Sequence, residues 1–141
     1  MEKIMIKILK KRKELLKKGK ELIETKYVNK KEFTCTEIEN ITKCSTSVLN
    51  EQGRQNIRIG YTSNRYSNRY YITAYKIDTR ICKHSDGIIE ENRYFFKRED
   101  VLTLIDNAYE NIAHQLENQK IYLEQDLKVI EEKLQMIKDS E

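Results

Sequence analysis

The stretch FTCTEIENITKCSTSVLNEQG, residues 33–53, is polar and holds only a few large apolar side chains. Two overlapping T-x-x-E patterns start at Thr34 and at Thr36, and each matches the capping box that begins many helices. Ile38 and Ile41 follow at a spacing of three, which places them on one helical face. The pattern predicts a short helix that buries this pair.

A second short helix is predicted directly after the first. Lys43 and Cys44 form a tight connection, and Ser45 suits the N-cap of a helix that buries Val48 and Leu49. Two helices joined so closely cross steeply, which predicts a helix-turn-helix. The outer face of the second helix would carry side chains able to contact base edges and phosphates in a major groove: Thr46, Ser47, Asn50 and Arg54.

The chain changes character over residues 54–97. The segments NIRIGY, RYYITAYKI and IIEENRYFF are rich in Ile, Tyr and Phe, and polar turn segments separate them. This composition predicts short antiparallel strands. Seven of the eight arginines and six of the nine tyrosines fall between Arg54 and Arg98.

The alternation RYSNRYY (65–71) marks a predicted hairpin turn. Arginine and tyrosine there can hold phosphates or enter a minor groove. Cross-strand tyrosine packing in an ordinary hairpin is the alternative. We favour nucleic-acid contact because arginine is concentrated in the same region, and the predicted contact residues are Arg58, Arg65, Tyr66, Arg69 and Tyr70.

Residues 3–24 predict an amphipathic helix with a lysine-covered outer face. Two apolar rows recur at helical spacing, one starting at Ile4 and the other at Met5. A helix on a membrane surface is the alternative, but Trp and Phe anchors are absent from it, so packing against another helix is favoured.

From Arg98 to the end, the pattern is that of one long helix. Its apolar seam advances in steps of three and four with one stutter, which predicts a coiled coil that makes a homodimer. Gln119 lies at the seam, either as a register-setting polar residue or as a partly exposed one. An intrachain pairing with helix 3–24 is the alternative. The residues predicted to mediate oligomerisation are Ile105, Ile112, Leu116, Leu123, Leu127, Ile130, Leu134 and Ile137.

Charge is divided unevenly along the 141 residues. Residues 1–98 hold 23 Lys and Arg against 12 Asp and Glu, whereas residues 99–141 hold 4 against 11. Such asymmetry is typical of a basic body that meets a polyanion, or of two ends that attract each other. The predicted organisation is a basic helix (1–31), a winged helix-turn-helix domain (32–98) and a coiled-coil helix (99–141).

Other kinds of site find little support in the sequence. Cys35, Cys44, Cys82 and His84 have spacings that match no zinc finger or ribbon, and no glycine-rich phosphate loop is present. Neither a metal, a cofactor nor an enzymatic activity is therefore expected. Three cysteines without a visible secretory signal predict a cytoplasmic protein, and no apolar run is long enough for a membrane span.

Residues 33–53 resemble the N-terminal helix-turn-helix of MerR-type and excisionase-like winged-helix proteins. NRYFFKREDVLTLI (92–105) is similar to the strand and helix that close the wing in these families, with Phe96 at their aromatic position and Asp100 at their usual Asp. The long C-terminal helix resembles the MerR dimerisation helix. The residues that match the helix-turn-helix pattern are Phe33, Thr34, Glu37, Ile38, Ile41, Thr42, Ser45 and Leu49.

The resemblance implies an α+β winged helix-turn-helix flanked by two helices, and a sequence-specific, dimeric protein that binds double-stranded DNA. A transcriptional, plasmid-maintenance or phage regulator fits this expectation. The alternative is a small protein-binding module or inhibitor, for example one encoded by a phage, that acts on a host defence complex through its helices.

Overall fold

The structure, a computed structural model, describes residues 2–59 and 71–140. It is an α+β fold with an N-terminal helix, two small antiparallel sheets and a long C-terminal helix, and at this level the prediction is confirmed. The elements are α1 (Glu2–Thr25), β1 (Glu32–Thr34), α2 (Cys35–Thr42), β2 (Thr46–Glu51), β3 (Arg54–Ile59), β4 (Ile72–Thr73), β5 (Lys76–His84), β6 (Gly87–Lys97) and α3 (Arg98–Ser140).

Helix α1 packs antiparallel to the first half of α3. Of its two apolar rows, the one containing Leu9, Leu16 and Ile23 is buried, while Ile4 and Ile8 of the other row remain exposed. This is the intrachain helix pairing that the sequence left as an alternative, over the part of α3 that α1 can reach. Because α1 is basic and α3 is acidic, their pairing also brings opposite charges together.

Helix α2 begins with a capping box, as the sequence predicts. The Thr34 hydroxyl accepts a hydrogen bond from the Glu37 backbone N–H at 3.3 Å, and the Thr34 N–H donates to the Glu37 carboxylate at 3.1 Å. Ile38 is fully buried. The helix ends at Lys43, which adopts a left-handed conformation with φ of 57° and donates its N–H to the Glu39 carbonyl.

The prediction of a second helix in the helix-turn-helix is wrong. Residues 46–51 form strand β2, and Ser45 precedes a strand rather than capping a helix. The reason is a two-residue turn at Gln52 and Gly53, whose φ angles are 52° and 74°. Two successive positive φ values belong to the tight turn that joins antiparallel strands, and this turn pairs β2 along its whole length with β3.

The strands form two three-stranded sheets. Their strand orders are β1-β6-β5 and β2-β3-β4. Phe33 of β1 lies opposite Phe96 of β6, and both are fully buried. β6 leads directly into α3, so the strand and helix predicted over residues 92–105 are confirmed.

Arg98, at the junction of β6 and α3, fixes the C-terminal end of α1. Its guanidinium donates to the backbone carbonyls of Ile23 at 2.9 Å, Tyr27 at 2.6 Å and Lys30 at 3.4 Å. These carbonyls belong to the last turn of α1 and the segment after it, which need acceptor partners outside the helix. One charged side chain therefore joins both helices to the sheet.

Candidate nucleic-acid interface

The register of β2 and β3 sorts their side chains into two faces. Residues directly opposite each other in an antiparallel pair point to the same side. Ile57 and Ile59 are buried, so their face turns toward the core there, while Val48 and Asn50 on the same side are exposed. The other side is the outer face, which comprises Ser47, Leu49, Glu51, Arg54, Asn56, Arg58 and the β4 residue Thr73.

Polar contacts order part of the outer face. The Thr73 hydroxyl donates to the Asn56 side-chain oxygen at 2.5 Å. The Arg58 guanidinium lies 5.5 Å from the ring centroid of Tyr71, in cation–π contact. Ser47 and Arg54 are exposed. The face therefore presents two hydroxyls, an amide, a carboxylate and two guanidinium groups on one side of a ribbon.

The predicted DNA-binding residues are divided by this arrangement. Ser47, Arg54 and Arg58 lie together on the outer face, whereas Thr46 and Asn50 lie on the opposite side of β2. A helical repeat groups residues 46, 47, 50 and 54, but a strand alternates them. Four predicted contact residues fall outside the described residues, namely Arg65, Tyr66, Arg69 and Tyr70.

Thr46 has a structural role that the sequence did not indicate. Its hydroxyl donates to the Glu39 carboxylate of α2 at 2.6 Å, and its N–H reaches the same oxygen at 3.3 Å. The Thr46 hydroxyl also contacts the Cys35 sulfur at 2.8 Å. Burial raises the pKa of the Cys35 thiol, with a smaller opposing effect of this contact. These bonds hold the ribbon against α2.

A polar cleft lies between the first turn of α2 and the β5–β6 hairpin. It has a volume of about 530 Å³ and is lined by Gln55 of β3 on the side opposite the outer face. Arg80, Asn92 and Arg93 line its other wall. Sequence reasoning did not single out these residues, although the concentration of arginine in the segment was a signal for them.

Glu91 gathers three side chains of the β5–β6 hairpin. Its carboxylate contacts His84 at 2.8 Å, Cys82 at 3.5 Å and Arg80 at 3.6 Å. The hydrogen bond with His84, followed by that with Cys82, lowers the pKa of Glu91. Cys82 and His84 share a strand face, and the Glu91 carboxylate on the same face orients the imidazole.

The β5–β6 hairpin also carries exposed apolar side chains. Ile77, Ile81 and Ile88 lie on one face, and they are 49%, 71% and 71% exposed. β5 is the last strand in its sheet, so one side of its backbone has no neighbouring strand among the described residues. Exposed edges and apolar side chains of this kind favour contact with another polypeptide.

The contacts between α1 and α3 end well before α3 does. Lys20 donates to Asp106 at 2.8 Å, Lys13 lies 5.2 Å from the Tyr109 ring centroid, and the Gln119 amide reaches the Met5 sulfur at 3.8 Å. The hydrogen bond and the charge of Asp106 raise the pKa of Lys20. Because α1 and α3 run antiparallel, the N-terminal end of α1 lies beside α3 near residue 119.

The predicted oligomerisation seam is consequently split. Ile105 and Ile112 are buried in the core that α1 and α3 share, and Leu116 packs against it, so these three residues are occupied within the chain. Beyond them, every residue from 121 to 140 is exposed; we call this segment the tail. The tail contains the remaining seam residues, Leu123, Leu127, Ile130, Leu134 and Ile137.

No protein family model, no curated protein and no solved structure matches this chain. Among the described residues, no helix is both long and apolar enough to cross a lipid bilayer. The described residues also contain no group of three or more His, Cys, Asp and Glu placed to hold a metal ion.

Proposed function

We propose that this protein is a self-associating DNA-binding protein whose contact surface is the outer face of the β2–β3 ribbon. The observation that carries the proposal is the grouping of Ser47, Arg54 and Arg58 on the outer face of the hairpin, where Ser47 and Arg54 are exposed and Arg58 is half-buried. Among the described residues, β4 pairs with β3 only at Asn56 and Ile57, so the end of the sheet nearest the Gln52–Gly53 turn is a two-stranded ribbon, which is narrow enough to enter a major groove. Arginine pairs there with guanine or phosphate, and hydroxyl and amide groups bond to base edges.

The charge of the chain supports a polyanionic partner. Residues 1–98 carry 23 Lys and Arg against 12 Asp and Glu, while the acidic residues concentrate in α3. A basic body steers DNA toward it over distances that exceed direct contact. We assign phosphate contact to Arg58 and to the predicted residues Arg65, Tyr66, Arg69 and Tyr70, which follow β3 in the chain.

The resemblance to MerR-type proteins gave the first expectation of duplex DNA. With a strand in place of the recognition helix, the proposed contact moves from a helix to a ribbon, and a winged helix-turn-helix is not needed for it. A transcriptional, plasmid-maintenance or phage regulator that works in the cytoplasm without a cofactor or a catalytic step remains the proposed role.

The test compares substitutions on the two sides of one ribbon. Arg54→Ala and Ser47→Ala remove outer-face groups, whereas Asn50→Ala and Gln55→Ala remove groups of similar size from the opposite side. If the outer face reads bases, the first pair weakens binding to a selected duplex by about 1–3 kcal/mol for each base contact. The matched controls on the opposite side leave affinity unchanged.

Ionic strength provides an independent measurement. Each neutralised phosphate contributes about −0.9 to the slope of log K against log salt concentration, so a surface that engages several arginines gives a slope of roughly −4 or steeper. Arg58→Ala flattens that slope by about one unit. If Asn50→Ala and Ser47→Ala lowered duplex affinity equally, base contact would not be confined to the outer face, as in the helical arrangement that the sequence predicted. Binding that is absent or independent of salt would rule out the proposal.

A protein-binding module or inhibitor is the second candidate function, and the β5–β6 hairpin favours it. Ile77, Ile81 and Ile88 are exposed on one face beside the strand edge of β5. An extended segment of a partner can add to such an edge by main-chain hydrogen bonds. A chain that binds no duplex, yet binds a host protein in an Ile81-dependent way, supports this candidate instead.

A further inference from the structure

We propose that the tail binds the tail of a second copy of this chain in antiparallel orientation. The inference rests on the self-association in the proposed function and goes beyond it, because it fixes how the two copies are arranged. Two observations carry it, namely the unpartnered apolar face of the tail and the distribution of charge along the edges of that face.

The tail extends beyond every other element of the described structure. Twenty residues from 121 to 140 are all exposed, and at 1.5 Å per residue they span about 30 Å. An apolar stripe of that length exceeds the scattered surface hydrophobes of monomeric proteins. Its seam residues are between 39% and 57% exposed, and they are Leu123, Leu127, Ile130, Leu134 and Ile137.

The seam defines the positions that flank it. Counting from Leu127 and Leu134 as a positions, Leu123, Ile130 and Ile137 are d positions of the heptad. The flanking e and g positions decide which orientation two helices prefer. Three of them, in the first part of the tail, are acidic and the last two are basic: Glu124, Asp126, Glu131, Lys133 and Lys138.

A parallel pair in register brings like charges together. In that arrangement each g residue faces the e residue five positions later in the other helix. Asp126 then faces Glu131 of the second copy, and Lys133 faces Lys138 of the second copy. Symmetry repeats both contacts, so the parallel pair has four repulsive contacts and no attractive one among these five residues.

An antiparallel pair replaces these four repulsive contacts with two attractive and two repulsive ones. When Leu127 packs against Ile137 of the second copy, and Ile130 against Leu134 of the second copy, Glu124 lies beside Lys138 of the second copy. Symmetry gives two such attractive pairs. Two like-charge approaches remain, those of Glu131 and of Lys133, each to its own copy beside the two-fold axis. Both apolar layers are retained, so the charges select the antiparallel orientation.

Reversing the charge of Lys138 changes the dimer dissociation constant in opposite directions for the two orientations. Lys138→Glu breaks two attractive pairs in the antiparallel arrangement, and we expect the dimer dissociation constant, measured by sedimentation equilibrium, to rise roughly five- to tenfold. In a parallel pair the same change relieves repulsion with Lys133 and tightens the dimer. Tightening, or no change, therefore overturns the proposed orientation.

Two further variants complete a double-mutant cycle between residues 124 and 138. Glu124→Lys weakens the antiparallel dimer to a similar extent, and the double variant Glu124→Lys, Lys138→Glu restores wild-type affinity. Lys128→Glu is the matched control: it makes the same charge change at a b position, away from the seam, and leaves the dissociation constant unchanged. A double variant as weak as the singles contradicts the pairing of 124 with 138.

Leu127→Asp separates this inference from the DNA-binding proposal. It places a charge in the centre of the exposed seam, so we expect a folded monomer with wild-type helicity by circular dichroism. A wild-type chain that is monomeric at tens of micromolar removes both the self-association and its orientation. Binding of duplex by the outer face is measured separately and stands or falls with the Arg54 and Ser47 variants.

Discussion

Thr34 and Glu37 form a reciprocal capping interaction. Each residue satisfies a backbone donor of the other at the start of α2. The sequence predicted this pair because both partners lie within one turn, and only spacing was needed to find it. Long-range pairs were not predictable in the same way: Thr46 with Glu39, His84 with Glu91 and Arg98 with the end of α1 depend on the tertiary fold.

Thr34→Ala tests the capping box. Removing the hydroxyl leaves the Glu37 N–H without its acceptor, and we expect a loss of about 1 kcal/mol in the free energy of unfolding, measured by urea denaturation. Thr36→Ala is the matched control, since Thr36 begins the overlapping T-x-x-E pattern but is exposed inside the helix. If Thr36→Ala proved the more damaging substitution, the helix would begin two residues later.

The same cap has a pH dependence. Partial burial acts to raise the pKa of Glu37, but hydrogen bonds from Lys30 and Thr34 outweigh it and hold that pKa below its usual value. The ionised carboxylate therefore stabilises the fold fully at neutral pH, and this contribution is lost as the pH falls below about 4.3 and through the lowered pKa. Glu37→Gln should flatten that part of the stability profile; an unchanged profile would assign the acid sensitivity to other carboxylates.

Strand β2 is the element that sequence reasoning assigned to the wrong class. Val48 and Leu49 suited the inner face of a short helix, and Ser45 suited its cap. The stronger signal was Gly53, which permits the left-handed turn between two strands that contain β-branched residues. Strands β3 and β6 were predictable because Ile, Tyr and Phe are dense in their segments, whereas β2 and most of β5 are polar and depend on their partner strands.

Two substitutions at the β2–β3 turn test that explanation, because they are expected to change the stability of the protein in opposite directions. Gly53→Ala forces a side chain into a φ of 74° and destabilises the protein by about 1 kcal/mol. Gln52→Asn gives the Asn-Gly pair that this turn prefers, and we expect a small gain in stability. Thermal unfolding reports both effects. A helix across this segment would instead be strengthened by Gly53→Ala.

At the scale of the whole molecule, the long helices were predictable but their partners were only partly so. The heptad pattern runs through all of α3, and nothing in its spacing shows where a partner within the chain ends. The length of α1 decides that point, because it reaches only to about residue 119. Residues before it pack inside the chain, and residues after it are available to a second copy.

The antiparallel tail pair sets the distance between the two DNA-binding bodies. Its two-fold axis lies near residue 132, about 34 residues from the start of α3, which is about 50 Å along each helix. The two helix starts are thus about 100 Å apart, or about three turns of duplex. A parallel pair would hold the two bodies side by side instead.

Duplexes with two copies of a selected site therefore show an optimum in spacing. We expect a centre-to-centre spacing of about 30 base pairs to bind more tightly than 35 base pairs, because the extra half turn places the second site on the opposite side of the duplex. Leu127→Asp removes the preference and leaves the affinity for a single site unchanged. A best spacing of about 10 base pairs in an electrophoretic mobility assay would indicate bodies held side by side, as in a parallel pair.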